Sequence, residues 1–552
     1  MRVKSLRMLV SISFLIILFC NIELIPSNSV YSSFVITSHN KAYCSVSSEV
    51  QTIIDIFNTK DSCLGLTLFT VFNLTEGLVN QHGSDLLFVD NQGRIVKERS
   101  TDTVGFYDPQ IINETTVMFQ DLWKYEITLW NIETGADYVI SLDSPDKAHH
   151  DVFYNPMTNT FMTIGREFIN ATWEVDTLWE FNWTGDVVWE WKLADWVNNY
   201  TATQCLTSNH LLASGVFDYS HANSVYWDAE TNIIYLNCRN LDNIWAINRT
   251  DGTVLWIAGR NGNFTMYDKA GIQKDTLWYH SHSLSPISDE PNRFILFDNN
   301  LHNATSSPGN PTTIEGPNFH AGEPPAGSRM IEVIIDPDTW TMNETWSWTG
   351  SPEYYSPIWG GANRLSNGNR LGCFGSCQFR EGNYSGPFPE GGAVLIETND
   401  TGTVWQLTLP KGYSIYRARR FQPYLSLNSP EDVMFNESLS QTISWTGTSI
   451  FKSHYQISNR THLLVNSTWE TATVNYVLPP SLMVGTHEYT LTVFDLAGQS
   501  KSDTVIVTVN PATSSSIPIP GYEILVPVTG FLLIGLVIVS RRKKKLAETS
   551  QS

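Results

Sequence analysis

The chain has 552 residues, 42% of them hydrophobic and 12% aromatic, enough to bury more than one core. Its formal charge is −21, which argues against nucleic acid as a partner and requires that any anionic substrate meet a local cationic site.

Arg2, Lys4 and Arg7 precede an apolar run from Met8 to Phe19. That is the form of a secretory signal peptide, assigned to residues 1–29, and it is shorter than the roughly 20 residues of a spanning helix. Phe19 is too bulky for a lipobox before Cys20. Residues 30–65 read as an N-terminal segment without a defined form.

From residue 66 one unit recurs: an apolar strand, a turn with Asp, Asn or Gly, and a second strand. It appears as LLFVDNQGRIV from Leu86, LWNIETGADYVI from Leu129, LWEFNWTGDVVWEW from Leu178, IWAINRTDGTVLW from Ile244, VIIDPDTWTMNETWSW from Val333 and VLIETNDTGTVWQL from Val394. Alternating Val, Ile, Leu and Trp around such a turn is a hairpin signature. A further hairpin precedes several copies, from Asp151, Ser224, Ser283 and Ala362. Two hairpins make four strands, and six such units predict an all-β, six-bladed β-propeller over residues 66–424, with most Trp residues in the core between blades. Shorter alternating strands over 425–510 predict an Ig-like β-sandwich acting as a spacer.

A Ser/Pro-rich stalk spans residues 511–521. The uncharged run Ile524–Ser540 sits within a predicted transmembrane helix, residues 522–540. Arg541, Arg542, Lys543, Lys544 and Lys545 open a cytoplasmic tail, residues 541–552. The expected topology is a cell-surface ectodomain on a single-pass anchor. Without signal and tail it keeps 26 basic and 53 acidic residues, a net charge of −27.

N-x-S/T sequons stand at Asn73, Asn113, Asn170, Asn182, Asn199, Asn248, Asn263, Asn303, Asn343, Asn383, Asn399, Asn436, Asn459 and Asn466. Their density, with none in the tail, predicts a glycosylated surface. Six cysteines follow the signal. An oxidising compartment favours disulfides, and sequence proximity favours Cys44–Cys63, Cys205–Cys238 and Cys373–Cys377, the last closing so small a loop that two thiols are the alternative. A zinc site is disfavoured, because no second cysteine or histidine pair sits at a matching distance.

In a propeller the first strand of every blade lines the axis, so equivalent positions converge. His150, His221 and His282 each precede a first hairpin in the same register, ten to twelve residues before its second strand. Three in register predict a functional cluster at the channel mouth rather than three unrelated structural histidines. Arg239, in YLNCRN, and Arg329 can reach the same region.

The block DYSHANSVYWDAETNIIYLNCRNLDNIWAINRTDGTVLWIAG resembles the central block of the arylsulfotransferases, with its D-x-x-H-x-N-S pattern, strand pair, Arg and closing hairpin. HSLSPISDEPNRFILFDNN, GSRMIEVIID, GLTLFTVF and GGANRLSNGNRL resemble further blocks, so the likeness runs from Gly65 to Leu425. The resemblance implies a β-propeller that moves a sulfuryl group from a phenolic ester to a phenol through a transiently sulfated histidine, with no nucleotide donor and no cofactor. It implies that His221, His282 and Arg329 bind and polarise the sulfate. The chain departs from the family pattern in one place. Family members carry the nucleophilic histidine after the Ser-Arg block, whereas here none follows Arg329 before His454, and the equivalent position falls near Trp359. Hence the carrier is His282 or His150, or the chain is a non-catalytic surface propeller that binds a sulfated or glycosylated ligand. A quinoprotein dehydrogenase shares the Trp-rich blades but needs more of them, and acidic calcium ligands that are not clustered here.

Overall fold

The computed structural model describes residues 34–36, 42–44, 54–57, 60–73, 84–101, 107–121, 126–142, 148–170, 173–197, 216–287, 290–300, 327–350, 354–377, 392–437 and 439–512. The signal peptide, the anchor and the tail lie outside them, as do Cys205, Asn199, Asn303 and Asn383. Among the described residues no helix is long and apolar enough to cross a membrane.

The predicted hairpins all form. Six antiparallel sheets of four strands follow one another, some with added edge strands. The second sheet is Tyr107–Asn113, Thr116–Asp121, Glu126–Asn131 and Asp137–Ser141. The third runs from His149–Asn155 to Val187–Lys192, the fourth from Ala222–Asp228 to Val254–Gly259, the fifth from His282–Pro286 to Thr341–Thr349, and the sixth from Gly361–Arg364 to Gly402–Thr408. The first sheet is discontinuous in sequence. Tyr413–Phe421 supplies its first strand and pairs with Leu66–Asn73, followed by Ser84–Val89 and Ile95–Thr101. Ile54–Phe57, from the N-terminal segment, pairs with the outer edge of the sixth sheet.

No sheet closes on itself. Closure comes between sheets, because each first strand packs on the next and Tyr413–Phe421 packs on Tyr107–Asn113, completing a ring of six. The sheets bury alternating apolar faces against their neighbours: Met162, Ile164 and Trp191 of the third pack with Val225, Leu236 and Trp245 of the fourth.

Nearly every first strand is kinked at the same end of the ring. Pairing shifts register between Tyr107 and Gln110, His149 and Val152, Ala222 and Ser224, His282 and Ser285, and Ile415 and Ala418. Asp108, His150, His221 and Ser283, at or beside these positions, take positive φ values of 40°, 64°, 44° and 57°, and Trp359, just before the unshifted first strand of the sixth sheet, takes 59°. Such bulges bend a strand and re-aim its side chains, which is how these residues turn toward the axis.

The last described unit is a two-sheet sandwich. Ser426–Asn428, Thr442–Thr448 and Thr473–Val477 face a sheet containing Lys452–Asn459, Gly485–Asp495 and Ser500–Asn510. Trp445, Ile457, Leu491 and Val507 fill its core. It is docked on the ring rather than held off as a spacer. Phe451 and Ala497 pack with Leu66, Leu68 and Phe88, and the Gly65 N–H donates to the Ala497 carbonyl at 3.1 Å.

One sequence expectation changes and another gains a second explanation. The predicted bridges are not formed: Cys63, Cys238 and Cys373 are buried thiols. Cys373 packs in the core between the first and sixth sheets, whereas Cys377 packs in the core between the fifth and sixth. Nearness in sequence does not make Cβ vectors converge. The sequons also have a second cause. At Asn113, Asn182, Asn248, Asn399 and Asn459 the side-chain oxygen accepts the N–H of the Thr two residues on, at 2.8–3.0 Å. Asp336, outside any sequon, accepts the Asp338 N–H in the same way. The turns therefore select Asn-x-Thr for its Asx-turn geometry, whatever its modification.

Candidate active site

The kinks gather His150, His221 and His282 at one end of the axis. The His150 and His221 rings meet edge to face with centroids 4.8 Å apart, and the Tyr416 ring lies 6.1 Å from His150 and 6.3 Å from His282. Tyr416 comes from the closing strand, so it ties the cluster to the far side of the ring.

Each histidine has its Nδ1 held by a different kind of group. His282 Nδ1 lies 2.6 Å from Asn299 Oδ1. The Asn299 amide is oriented in turn, since its Nδ2 donates to the carbonyls of Ser356 and Trp359, both at 2.7 Å. Asn299 Oδ1 can therefore only accept. His282 carries its proton on Nδ1 and keeps a lone pair on Nε2. His221 Nδ1 lies 2.5 Å from Asp218 Oδ2, a carboxylate that stabilises an imidazolium. His150 Nδ1 lies 2.5 Å from Nδ1 of His149, whose Nε2 is 3.0 Å from Asp176 Oδ1.

Burial dominates the electrostatics. It pushes the pKa values of His149, His150 and His282 well below the usual imidazole range, helped by neighbouring cations. Asp176 is pushed up to about 6, mainly by burial and then by Asp218. His221 is more open than His282, its side chain 23% exposed against a buried His282.

Two arginines stand near the cluster. Arg239, on the 3-10 turn Arg239–Leu241 after the second strand of the fourth sheet, is buried. Burial lowers its pKa to about 10 against the pull of Asp218 and Asp242, and its charge helps hold His282 neutral. Arg417, on the closing strand, donates to Asp108 Oδ2 at 2.9 Å and to the Asn223 carbonyl, and lies 3.3 Å from Asp151. Arg329 stands apart. It lies on the third strand of its sheet, two strands outward, or about 10 Å at the usual strand spacing. Its guanidinium is held by Asp298 at 2.8 Å, by the Leu277 carbonyl at 2.7 Å and near Glu344 at 3.7 Å.

Near the register-equivalent position of the sixth sheet stands Trp359. Its ring packs on Phe72 and Tyr416, with centroids 5.4 and 6.2 Å away. A Cβ on the next residue, Gly360, would lie 2.5 Å from the Phe297 ring, which forces glycine there. The ring end is thus divided: histidines from the third, fourth and fifth sheets face Trp359, Tyr416 and Tyr107 from the sixth, first and second. Sequence reasoning missed His149, Asp176, Asp218, Asn299, Tyr416 and Arg417. The His149–His150 dipeptide was a visible signal for the first of these. Among the described residues no group of three or more His, Cys, Asp or Glu side chains could hold a metal ion.

A family model described as Arylsulfotransferase (ASST) matches residues 65–417. No curated protein matches the chain. Among solved structures, a putative 6-phosphogluconolactonase from Bacteroides fragilis is 12% identical, covering 66% of this chain and 99% of its own, with a TM-score of 0.32. The extracellular domain of a putative hybrid two component system from B. thetaiotaomicron is 8% identical, covering 83% of this chain and 57% of its own, with a TM-score of 0.28. Fibronectin(III)-like modules of Clostridium thermocellum CbhA are 18% identical, covering 16% of this chain and 99% of theirs, with a TM-score of 0.13.

Proposed function

Because the chain belongs to the arylsulfotransferase family, we propose that its ring of sheets is a six-bladed β-propeller that moves a sulfuryl group from a phenolic sulfate ester to a phenol, with His282 as covalent carrier. The observation that carries this reading is the Asn299 anchor, which leaves an unprotonated Nε2 on a buried, neutral imidazole. That nitrogen attacks sulfur and the donor's O–S bond breaks. His221, backed by Asp218, protonates the departing phenolate. Arg239 offsets the charge on the equatorial oxygens.

The test is incubation of the protein with 4-nitrophenyl sulfate and a phenol acceptor, following nitrophenol release and acceptor sulfation. Arg239→Ala is expected to slow release by about 10²–10³-fold. Arg329→Ala, whose partners are Asp298 and Glu344, should cost less than about tenfold. Equal losses in the two variants would return Arg329 to the sulfate site.

A second reading has a specific observation behind it: near the register-equivalent position where the resemblance expects the carrier, the packed indole of Trp359 stands instead of a histidine. A surface propeller that binds a sulfated or glycosylated ligand without turning it over is then the function. Absence of phenol release across several aryl sulfates would select it.

We further propose that the protein is a cell-surface ectodomain anchored by residues 522–540, from that uncharged run and the five basic residues after it. Protease added to intact cells should release the ring and sandwich and leave a small membrane fragment. Protection until lysis would refute this topology.

A further inference from the structure

His149 is not part of the expected family set, yet it is buried among charged groups it would have no reason to meet in a purely apolar core. It stands between Asp176 and His150, its Nε2 3.0 Å from Asp176 Oδ1 and its Nδ1 2.5 Å from His150 Nδ1. Asp176 is well placed as an ionised acceptor. Its Oδ2 takes hydrogen bonds from the Ser220 hydroxyl and the Ala222 N–H, both at 2.5 Å, leaving Oδ1 for His149. That contact lacks hydrogen-bond geometry, but a carboxylate oxygen 3.0 Å away repels a lone pair at Nε2, which favours the His149 proton on Nε2 and a lone pair at Nδ1. Across the short contact His150 must then be the donor, from its own Nδ1. Its lone pair is on Nε2, the same tautomer that Asn299 imposes on His282, reached through a different partner.

We propose that His149, held by Asp176, is a positioning residue that fixes His150 with an unprotonated Nε2, so that His150 takes the proton of the acceptor phenol in the second half of the transfer. This rests on the sulfotransfer reading above. The acceptor O–H gives its proton to His150 Nε2 while its oxygen bonds to sulfur. The N–S bond to His282 breaks and its electron pair returns to that imidazole. The proton then passes from His150 to His221, whose ring is 4.8 Å away centroid to centroid, restoring the acid that the next donor needs. One histidine serves the departing phenol and another the arriving one, which explains three histidines where a single acid–base partner would suffice.

Three full-length variants test the inference: His149→Leu, His149→Asn and His150→Ala. The first removes the acceptor at Nδ1. The second supplies an amide oxygen in its place, as Asn299 does for His282. Discharge of the sulfated protein by a phenol acceptor should slow about 10²–10⁴-fold in His149→Leu and in His150→Ala, while formation of the adduct from 4-nitrophenyl sulfate changes far less. His149→Asn should recover discharge to within about tenfold of wild type. Selective ¹⁵N-histidine labelling reads the tautomer without reference to activity: His150 Nε2 should be unprotonated in wild type and in His149→Asn, and lose that preference in His149→Leu. A protonated Nε2 on His150 in the wild type would overturn the proposal. So would a folded His149→Leu protein with unchanged discharge. Absence of transfer by the wild type would instead count against the sulfotransfer reading, while the labelling experiment would still decide what His149 does.

Discussion

His282→Ala is expected to abolish sulfotransfer, lowering turnover by about 10⁴-fold or more, because it removes the atom that bonds to sulfur rather than one that assists. Wild-type protein incubated with an aryl sulfate alone should retain an acid-labile sulfuryl group, and the variant should retain none. His221→Ala should behave differently. With a good leaving group such as nitrophenolate it still forms the adduct, and with a poor one it slows by about 10²–10⁴-fold, as expected for loss of a general acid. The pH dependence carries the same signature. Burial holds His282 neutral well below the ordinary imidazole range, so the nucleophile stays competent as pH falls below about 6.5, where a free imidazole becomes mostly protonated. Alanine also leaves Asn299 Oδ1 without its partner in a buried site, at a cost of about 1–3 kcal/mol, so folding must be measured beside activity. An adduct that persists in His282→Ala and disappears in His150→Ala would move the carrier to the other histidine.

The hairpins were legible because each carries its own period and turn, and none needs a distant residue to be recognised. The closing strand was not. YSIYRARRF, residues 413–421, contains Arg417, Arg419 and Arg420 and reads as a charged edge rather than an inner strand. Only in the ring do its charges find partners more than three hundred residues away, Asp108 for Arg417 and Arg419, and the Asn91 side chain and Cys63 carbonyl for Arg420. The site divides along the same line. His150, His221 and His282 were found from register alone, since equivalent positions on repeated strands converge by construction. The groups that set their protonation sit on other turns and sheets: Asn299 is 17 residues from His282, and Asp176 pairs with His149 across the third sheet and caps Ser220 and Ala222 of the fourth. No periodicity encodes such pairings. Arg329 was assigned by likeness to a motif, and its carboxylate neighbours at Asp298 and Glu344 are a fact of three dimensions. The sequons are ambiguous for a related reason, because the tripeptide that marks a glycan also makes the turn between the outer strands.

Arg417→Met should destabilise the ring by about 3–5 kcal/mol, the usual cost of removing one partner from a buried charged network. Arg417 is buried and faces Asp108 and Asp151, both buried, in the contact that joins the first sheet to the second and third. Burial drives the Asp108 carboxyl upward, but Arg417 and Arg419 outweigh it and hold the group below the usual carboxylate range. Asp151 goes the other way, raised by burial in spite of Arg417. Without the Arg417 guanidinium, Asp108 keeps Arg419 while Asp151 is left beside a second carboxylate in a site that solvent does not reach. The sign of the pH dependence follows. A depressed Asp108 contributes stability to wild type that is present above about 3.8 and is lost as pH falls further. In Arg417→Met it is Asp151, already raised by burial, that loses the cation lowering it and rises further, so the variant's folded state holds a proton that its unfolded state has released, and its stability drops as pH climbs from about 4 toward 7. The gap between the two proteins should therefore be widest near neutrality and narrow on acidification, read as urea midpoints by tryptophan fluorescence at several pH values. Asp151→Asn in the Arg417→Met background should recover part of the loss, since an amide can occupy the site without charge, whereas Asp108→Asn alone should destabilise. A gap of under about 1 kcal/mol at pH 7, or one that widens toward pH 4, would mean that the ring is not closed through this cluster.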